Sequence, residues 1–370
     1  VVEPVEITVN ALSSPRMSTH DENDNSGKPR RRPRYKGTHP KAFKEKYKEQ
    51  HPDKYTDHTA KVIARGHTPA GTHRPICVDE IMAFLQPQPG QTGLDCTLGY
   101  GGHTTELLKR ITPGGHLFAT DVDPLELPKT TARLRAAGFG EDVLTTLPFN
   151  FEQIDEVVAI SGPLQFVLAD LGISSMQIDN PDRGFSFRVD GPLDLRLNPW
   201  RGKPASALLK TISREELEEI LLENADEPHH AVIAHALTHR RHKTEPITTT
   251  QQLRKLIAEA LHFLPPAHQE TDIKKACQRV FQALRIEVNN EFGVLDNFLE
   301  KLPGALQPGG RVAILTFHSG EDRRVKKSFQ RFFREGVYAE IAAEPVRPSA
   351  AECAGNPRAK PAKLRWAVLG

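Results

Sequence analysis

Two rhythms of apolar and polar positions divide this chain, and one stretch follows neither. From about His73, short apolar runs alternate with segments of helical period. The pattern predicts helices at 78–86, 102–111, 124–137 and 151–160, with strands at 92–96, 115–120, 143–146 and 164–170. The last of these, Leu164–Asp170 (LQFVLAD), is a continuous apolar run suited to a central parallel strand covered on both faces. Repeated strand–helix units predict an open α/β sheet whose ligands gather at the C-terminal ends of its strands.

After Ser175 the alternation stops for about a hundred residues. Residues 180–204 are rich in Gly, Pro, Asp and Arg and hold no sustained period. Helical patterns return at 213–224, 229–242 and 250–263, the first opened by Ser213 and Glu216 as a capping box. A long helix is predicted over 272–300, followed by a Pro/Gly turn and a further core strand, Arg311–Phe317 (RVAILTF). The tail from Val337 is expected to add two antiparallel edge strands, the last at 364–369. The expected organisation is an α/β domain in two parts, 71–177 and 281–370. A helical unit over 178–280 interrupts it, and an extension over 1–70 precedes it.

Charge sets that extension apart. Lys28 to Arg65 holds thirteen Lys or Arg against four Asp or Glu, so a whole-chain charge of +2 leaves about −7 for the rest. Its basic cluster, KPRRRPRYK at 28–36, is either a solvated tail or an arm that neutralises RNA phosphates without reading sequence. Tyr35, Phe43, Tyr47 and Tyr55 either stack on bases or belong to a short helix at 41–50. The four cysteines (Cys77, Cys96, Cys277, Cys353) form no C-x-x-C pair, which argues against a zinc or disulfide framework and fits a reducing compartment. No apolar run approaches the roughly eighteen residues of a membrane span, and no secretory pattern opens the chain. A cytoplasmic, soluble protein with no membrane partner is expected.

Candidate chemistry concentrates at strand ends. In Gly93–His103 (GLDCTLGYGGH), Gly99, Gly101 and Gly102 let the backbone approach a ligand and present N–H groups at a helix start. The next strand ends in Asp121 and Asp123, where such sheets hold ribose hydroxyls. The spacing is G-x-G-G rather than G-x-G-x-x-G, so a pyrophosphate is poorly served. That disfavours a nicotinamide dehydrogenase and points to S-adenosylmethionine as cofactor. Asp170, at the head of DLGISS, suits attack by an exocyclic base amine. The amine lone pair is delocalised into the ring, and an acceptor on its N–H favours pyramidalisation and takes the departing proton. Asp170 alternatively caps the turn.

Other candidates carry two readings each. His103 contacts the cofactor or is structural, and Phe149 lines an adenine pocket or belongs to the core. The segment Arg183–Arg196 (RGFSFRVDGPLDLR) lacks the period of a packed element yet is dense in aromatic and charged groups. Arg183, Arg188 and Arg196 there suit phosphate, Phe185 and Phe187 suit stacking on an extruded base, and Asp194 joins them. The alternative is a loop packed over the cofactor. His318 and Ser319 close the strand RVAILTF and point into the same crevice as Asp170. No G-x-S-x-G elbow accompanies them, which argues against a hydrolytic triad. Arg358 is a basic turn residue or a phosphate contact, and no convincing ligand cluster for a metal is evident.

These blocks fall in a recognisable order: HRPICVDE, LDCTLGYGGHT, DVDP, DLGISSMQID, RGFSFRVDGPLDLR, FQALRIEVNNE, GGRVAILTFHSGEDR and NPRAKPAKLR. From His73 to the C-terminus, about four-fifths of the chain, they resemble the bacterial 16S ribosomal RNA cytosine-N4 methyltransferase family (RsmH, also called MraW). The resemblance implies a class I S-adenosylmethionine-dependent methyltransferase fold with the helical insertion as RNA-recognition part. It implies methyl transfer to N4 of a decoding-site cytidine, in the assembled small subunit or a late precursor. Cofactor contacts are implied at Gly101, Gly102, His103, Asp121, Phe149, Asp170 and Gln177. A homodimer is compatible with it. The chain departs from the family at Asn224–His230, where a G-E-E-like segment is usual, at Gly320, where FHS-L-ED is common, and in its basic extension. Another RNA or DNA amine as target, or a ribosome-assembly factor without catalysis, remain alternatives. The intact Asp170 and glycine loop weigh against the second.

Overall fold

The computed structural model describes residues 75–241 and 246–370. The basic cluster at 28–36, the aromatic residues between 35 and 55 and the helix expected at 41–50 lie outside the described residues.

The first half builds the sheet as its periodicity predicts. Helix α1 (Val78–Leu85) precedes β1 (Thr92–Asp95), α2 (Gly102–Ile111), β2 (His116–Thr120), α3 (Leu127–Ala136), β3 (Leu144–Leu147), α4 (Ile154–Ser161) and β4 (Leu164–Asp170). Each helix buries one apolar stripe; in α2 it is Leu107, Leu108 and Ile111. The stripes of α1 and α2 pack on one face of the sheet, with Phe166, Leu168 and Leu315. The other face buries Val167, Ala169 and Ile314 against Phe298 and Leu302. The period-two alternation of β4 supplies both faces at once.

The helical stretch follows as α5 (Ser175–Asp179), α6 (Ala205–Thr211), α7 (Arg214–Ala225), α8 (His230–Arg241), α9 (Thr250–Ala260) and α10 (Gln269–Asn289). Its apolar residues, from Phe185 to Leu284, make a cluster of their own. The Ser213–Glu216 capping box is present, with the Glu216 N–H donating to Ser213 Oγ at 3.1 Å. The single long helix expected over 272–300 is instead two, α10 and α11 (Glu291–Ala305), because Asn290 between them takes a left-handed φ of 48°. Asparagine is among the few residues that tolerate this conformation, and it turns the chain back onto the sheet.

Strand β5 (Leu306–Thr316) then enters the sheet, followed by α12 (Ser319–Arg334), β6 (Tyr338–Ile341), α13 (Ala350–Gly355) and β7 (Lys363–Leu369). The seven strands lie in the order β3-β2-β1-β4-β5-β7-β6. Strand β7 pairs antiparallel with both β5 and β6. Of the two strands expected from the tail, β6 is at the edge, while 364–369 sits inside the sheet. The apolar content of LRWAVL, with Leu364 and Ala367 fully buried, belongs to an interior strand. No helix among the described residues is long and apolar enough to cross a membrane.

Candidate active site

One cleft of about 610 Å³ opens over the C-terminal ends of β1, β2, β4 and β5. The turn after β1 forms its floor. Gly99 and Gly101 have φ of 47° and 72°, in the left-handed region, and a side chain at Gly101 would press on Thr130 and Leu134 at 3.1–3.2 Å. The turn therefore needs glycine both for its backbone angle and for packing against α3. Gly99 and Gly102 line the cleft, whereas Gly101 caps α2 from beneath.

The DVD motif ending β2 divides its work. Asp121 faces the cleft and accepts the Gly99 N–H at 2.8 Å and the Asp123 N–H at 2.9 Å. Burial pushes its pKa up to about 6, against the effect of those two backbone donors. Asp123 turns inward and is 1% exposed. It accepts Gln177 Nε2 at 2.8 Å and Arg183 Nη1 at 2.6 Å. Gln177 lines the cleft, but its other amide atom accepts the Ser174 N–H, so the side chain acts as a strut.

Asp170 ends β4 at the cleft. Its N–H donates to Thr97 Oγ1 at 2.7 Å, which ties the tips of β1 and β4 together. One carboxylate oxygen lies 3.5 Å from His103 Nδ1; the other is buried without a hydrogen-bond partner among the described residues. Desolvation raises the Asp170 pKa to about 6, with His103 opposing and Asp95 and Glu321 adding to the rise. His103 Nε2 is 3.0 Å from the Ile76 carbonyl. A carbonyl only accepts, so Nε2 carries hydrogen and Nδ1 faces the carboxylate. The Asp170 carboxylate thus has an imidazole nitrogen as its neighbour.

Of the other residues singled out in the sequence, several converge here. Phe185, Phe187, Arg188, His318 and Arg358 line the cleft. Phe187 packs edge-on against Phe281 of α10. His318 caps α12, and its Nε2 lies 3.2 Å from Glu321 Oε1. Burial works to raise Glu321, yet the hydrogen bond and charge of His318, the Phe317 N–H and Arg285 bring it below its ordinary value. Gly320 follows from its neighbour: a Cβ there would collide with Phe292, whose ring fills that space. Glu227, in the divergent 224–230 segment, is fully buried and accepts Arg279 Nε at 2.7 Å.

Others do not reach the cleft. Phe149 packs against the sheet core, and Phe151 lines the cleft instead. Arg183 is 6% exposed, paired with Asp123, and donates to the carbonyls of Arg196 and Leu197. Arg196 is clamped by Asp194 through two bonds of 2.8 and 2.7 Å. Ser319 Oγ reaches Asp226 at 3.4 Å. A loop that folds back on itself needs internal partners, and its charged groups supply them; a Cβ at Gly184 would run into the Pro192 carbonyl.

Reasoning from the sequence passed over the opposite wall. Lys274, Gln278, Phe281 and Arg285 of α10 face the cleft at spacings of four, three and four. That polar stripe reads in sequence as an ordinary solvated helix face. It also passed over two groups with metal-ligand chemistry, Cys77/Glu80/Glu352 and Glu291/His318/Glu321. Arg285 already holds Glu291 through two 2.8 Å bonds, and burial pushes the Cys77 thiol up to about 12.

The strand order with β7 alone reversed, the glycine turn after β1 and the carboxylates at the tips of β2 and β4 define a class I methyltransferase fold. A family model, the MraW methylase family, matches residues 70–369. The chain belongs to that family. It is 62% identical to "Ribosomal RNA small subunit methyltransferase H 2" of Alkaliphilus metalliredigens, over 95% of this chain and 99% of that one. To "Ribosomal RNA small subunit methyltransferase H 1" of Lachnoclostridium phytofermentans it is 59% identical, over 92% and 93%. Coverage of 95% carries the first match into the residues before 70, so part of the basic extension is shared with that relative. Among solved structures, an rRNA methylase from Streptococcus thermophilus aligns at 13% identity and a TM-score of 0.34, over 77% of this chain and 90% of that one.

Proposed function

We propose that this protein transfers a methyl group from S-adenosylmethionine to N4 of a cytidine in the 16S rRNA of the small ribosomal subunit or a late precursor. The observation that carries the reading is Asp170: a buried carboxylate oxygen with no partner among the described residues, at the strand tip beside the glycine turn. Such an acceptor calls for an N–H from a ligand. The names of the two relatives support small-subunit rRNA as the substrate.

The cleft suits the cofactor. Asp121 offers acceptors for ribose hydroxyls, Gly99 and Gly102 let the backbone come close, and Phe151 and Val122 supply apolar surface. When bound, S-adenosylmethionine supplies an electrophilic methyl on a sulfonium. Asp170 accepts an N4 hydrogen of the cytosine, which drives the nitrogen toward the pyramidal geometry that frees its lone pair. Asp170 would receive the N4 proton, beside His103 Nδ1, as the amine takes up the methyl that the bound cofactor would supply. Ionisation near pH 6 keeps Asp170 basic at neutral pH yet close enough to it to receive a proton.

The helical unit, proposed as 178–280, is the part that recognises RNA, with its Phe185, Phe187 and Arg188 toward the substrate, joined by His318 and Arg358 of the sheet domain. The test is incubation with labelled S-adenosylmethionine and small subunits lacking decoding-site modification, followed by nucleoside mapping. Label in N4-methylcytidine is expected; label elsewhere, or none, would refute the reading.

A further inference from the structure

Trp200 is 72% exposed, the most exposed large apolar side chain among the described residues. It stands on a turn that is braced from several sides. Asn198 accepts the Trp200 N–H through its side chain at 3.0 Å and the Arg201 N–H through its carbonyl at 3.2 Å. Arg196, held by Asp194, donates to the Gly202 carbonyl at 3.2 Å. Gly202 takes a φ of 69°, which closes the turn. The clamp that withdraws Arg196 from the cleft therefore fixes the backbone under Trp200.

The turn is also anchored to the cleft wall. Leu195 and Leu197 line the cleft, and Leu197 is three residues before Trp200, at most about 10 Å of chain. Leu195 has a φ of 65°, a strained angle for leucine, and is kept there by Asn289 of α10, which donates to its carbonyl at 2.8 Å. Asn289 also accepts the Leu197 N–H at 2.7 Å. Directly after Trp200 in the chain, Arg201 and Lys203 are exposed, and no carboxylate among the described residues pairs with them.

An indole displayed on a fixed turn and followed by two exposed cations matches the chemistry of single-stranded RNA, with a base face to stack and phosphates to neutralise. We propose that Trp200, with Arg201 and Lys203, is a stacking platform for a nucleotide flanking the one held in the cleft. The identity of the occupant rests on the rRNA reading above. Because the turn is pre-ordered, stacking costs little conformational entropy.

The chain has two tryptophans, so Trp366→Phe leaves Trp200 as its sole tryptophan, excited selectively at about 295 nm. Trp366 stacks on Phe84 and does not line the cleft, which makes the phenylalanine a mild change. Titration with small subunits is expected to quench Trp200 saturably. In the otherwise native chain, Trp200→Ala should raise the KM for subunits about tenfold with kcat and donor affinity unchanged, and Trp200→Phe should recover most of the loss. Quenching without methylation of any subunit would keep the platform and remove the methyl-transfer reading. No quenching, with an unchanged KM for Trp200→Ala in a chain that methylates, would overturn the platform. So would sedimentation showing that Trp200→Ala splits a dimer formed without RNA.

Discussion

The two walls of the cleft were built by different rules, and the contrast explains what each residue does. The sheet wall consists of strand tips. There Asp121 and Asp170 face the cleft, and burial lifts both to a pKa of about 6. The opposite wall is a folded loop and one face of α10. Its most conspicuous charges, Arg183 and Arg196, are satisfied internally by Asp123 and Asp194. Groups that reach the cleft from that side, such as Lys274 and Gln278, are inconspicuous in sequence. At the strand tips Asp121 and Asp170 face the cleft, while in the loop Arg183 and Arg196 hold the fold.

Breaking the sheet wall should have the largest effect. Asp170→Asn keeps the shape but removes the basic acceptor. It should lower kcat by roughly 10²–10⁴-fold, the ordinary contribution of a positioned base, with donor affinity little changed in calorimetry. A variant that turns over normally would take the role from Asp170.

Breaking the loop wall should instead show in stability. Arg183→Ala leaves Asp123 buried and uncompensated, a loss of about 3–5 kcal/mol in urea unfolding. The salt dependence of RNA binding in the surviving folded fraction should stay as in the native chain. Intact stability with a flatter salt slope would make Arg183 a phosphate contact after all.

A third test separates the two carboxylates of the sheet wall. Asp121→Asn should weaken the donor, read by calorimetry, by roughly tenfold, about 1.4 kcal/mol for one charge-assisted hydrogen bond, while kcat at saturating donor changes less. Equal losses in both constants would merge the roles assigned to the two strand tips.

The smallest effect is a gain. A folded-state pKa above the unfolded value means that ionising Asp170 costs stability, so stability falls as pH rises from about 4 toward 6. Asp170→Asn should therefore raise the melting midpoint at pH 8 by roughly 2–4 °C, about 1 kcal/mol, and change it less at pH 4. An equal or lower midpoint at pH 8 would mean that the carboxylate is better solvated than its surroundings indicate.

What could be read from the sequence follows the same division. The period of the first half located every strand from β1 to β4 within about two residues, because alternating burial on two faces leaves a direct mark. Gly99, Asp121 and Asp170 were legible as cleft positions because a left-handed turn and strand-end carboxylates have few other uses, whereas Gly101 serves the turn and not the cleft. The break at Asn290 was hidden, since apolar spacing continues across it and only φ reveals it. Phe149 and Phe151 are two residues apart, and the 3₁₀ turn beginning at Phe151 decides which one meets the cleft. The partners of Arg183 and Arg196 depend on how a loop without period folds back, which no local rule specifies.

The central claim is that the Asp170 carboxylate accepts the proton of the amine being methylated. Its most direct test is the single-turnover methylation rate of small subunits across pH 5–8, with donor saturating, for the native chain and Asp170→Asn. The account predicts a native rate that rises with pH to a plateau, with a midpoint near 6, and a variant rate that is far lower and lacks that rise. The same rise in the variant at comparable rates would contradict it.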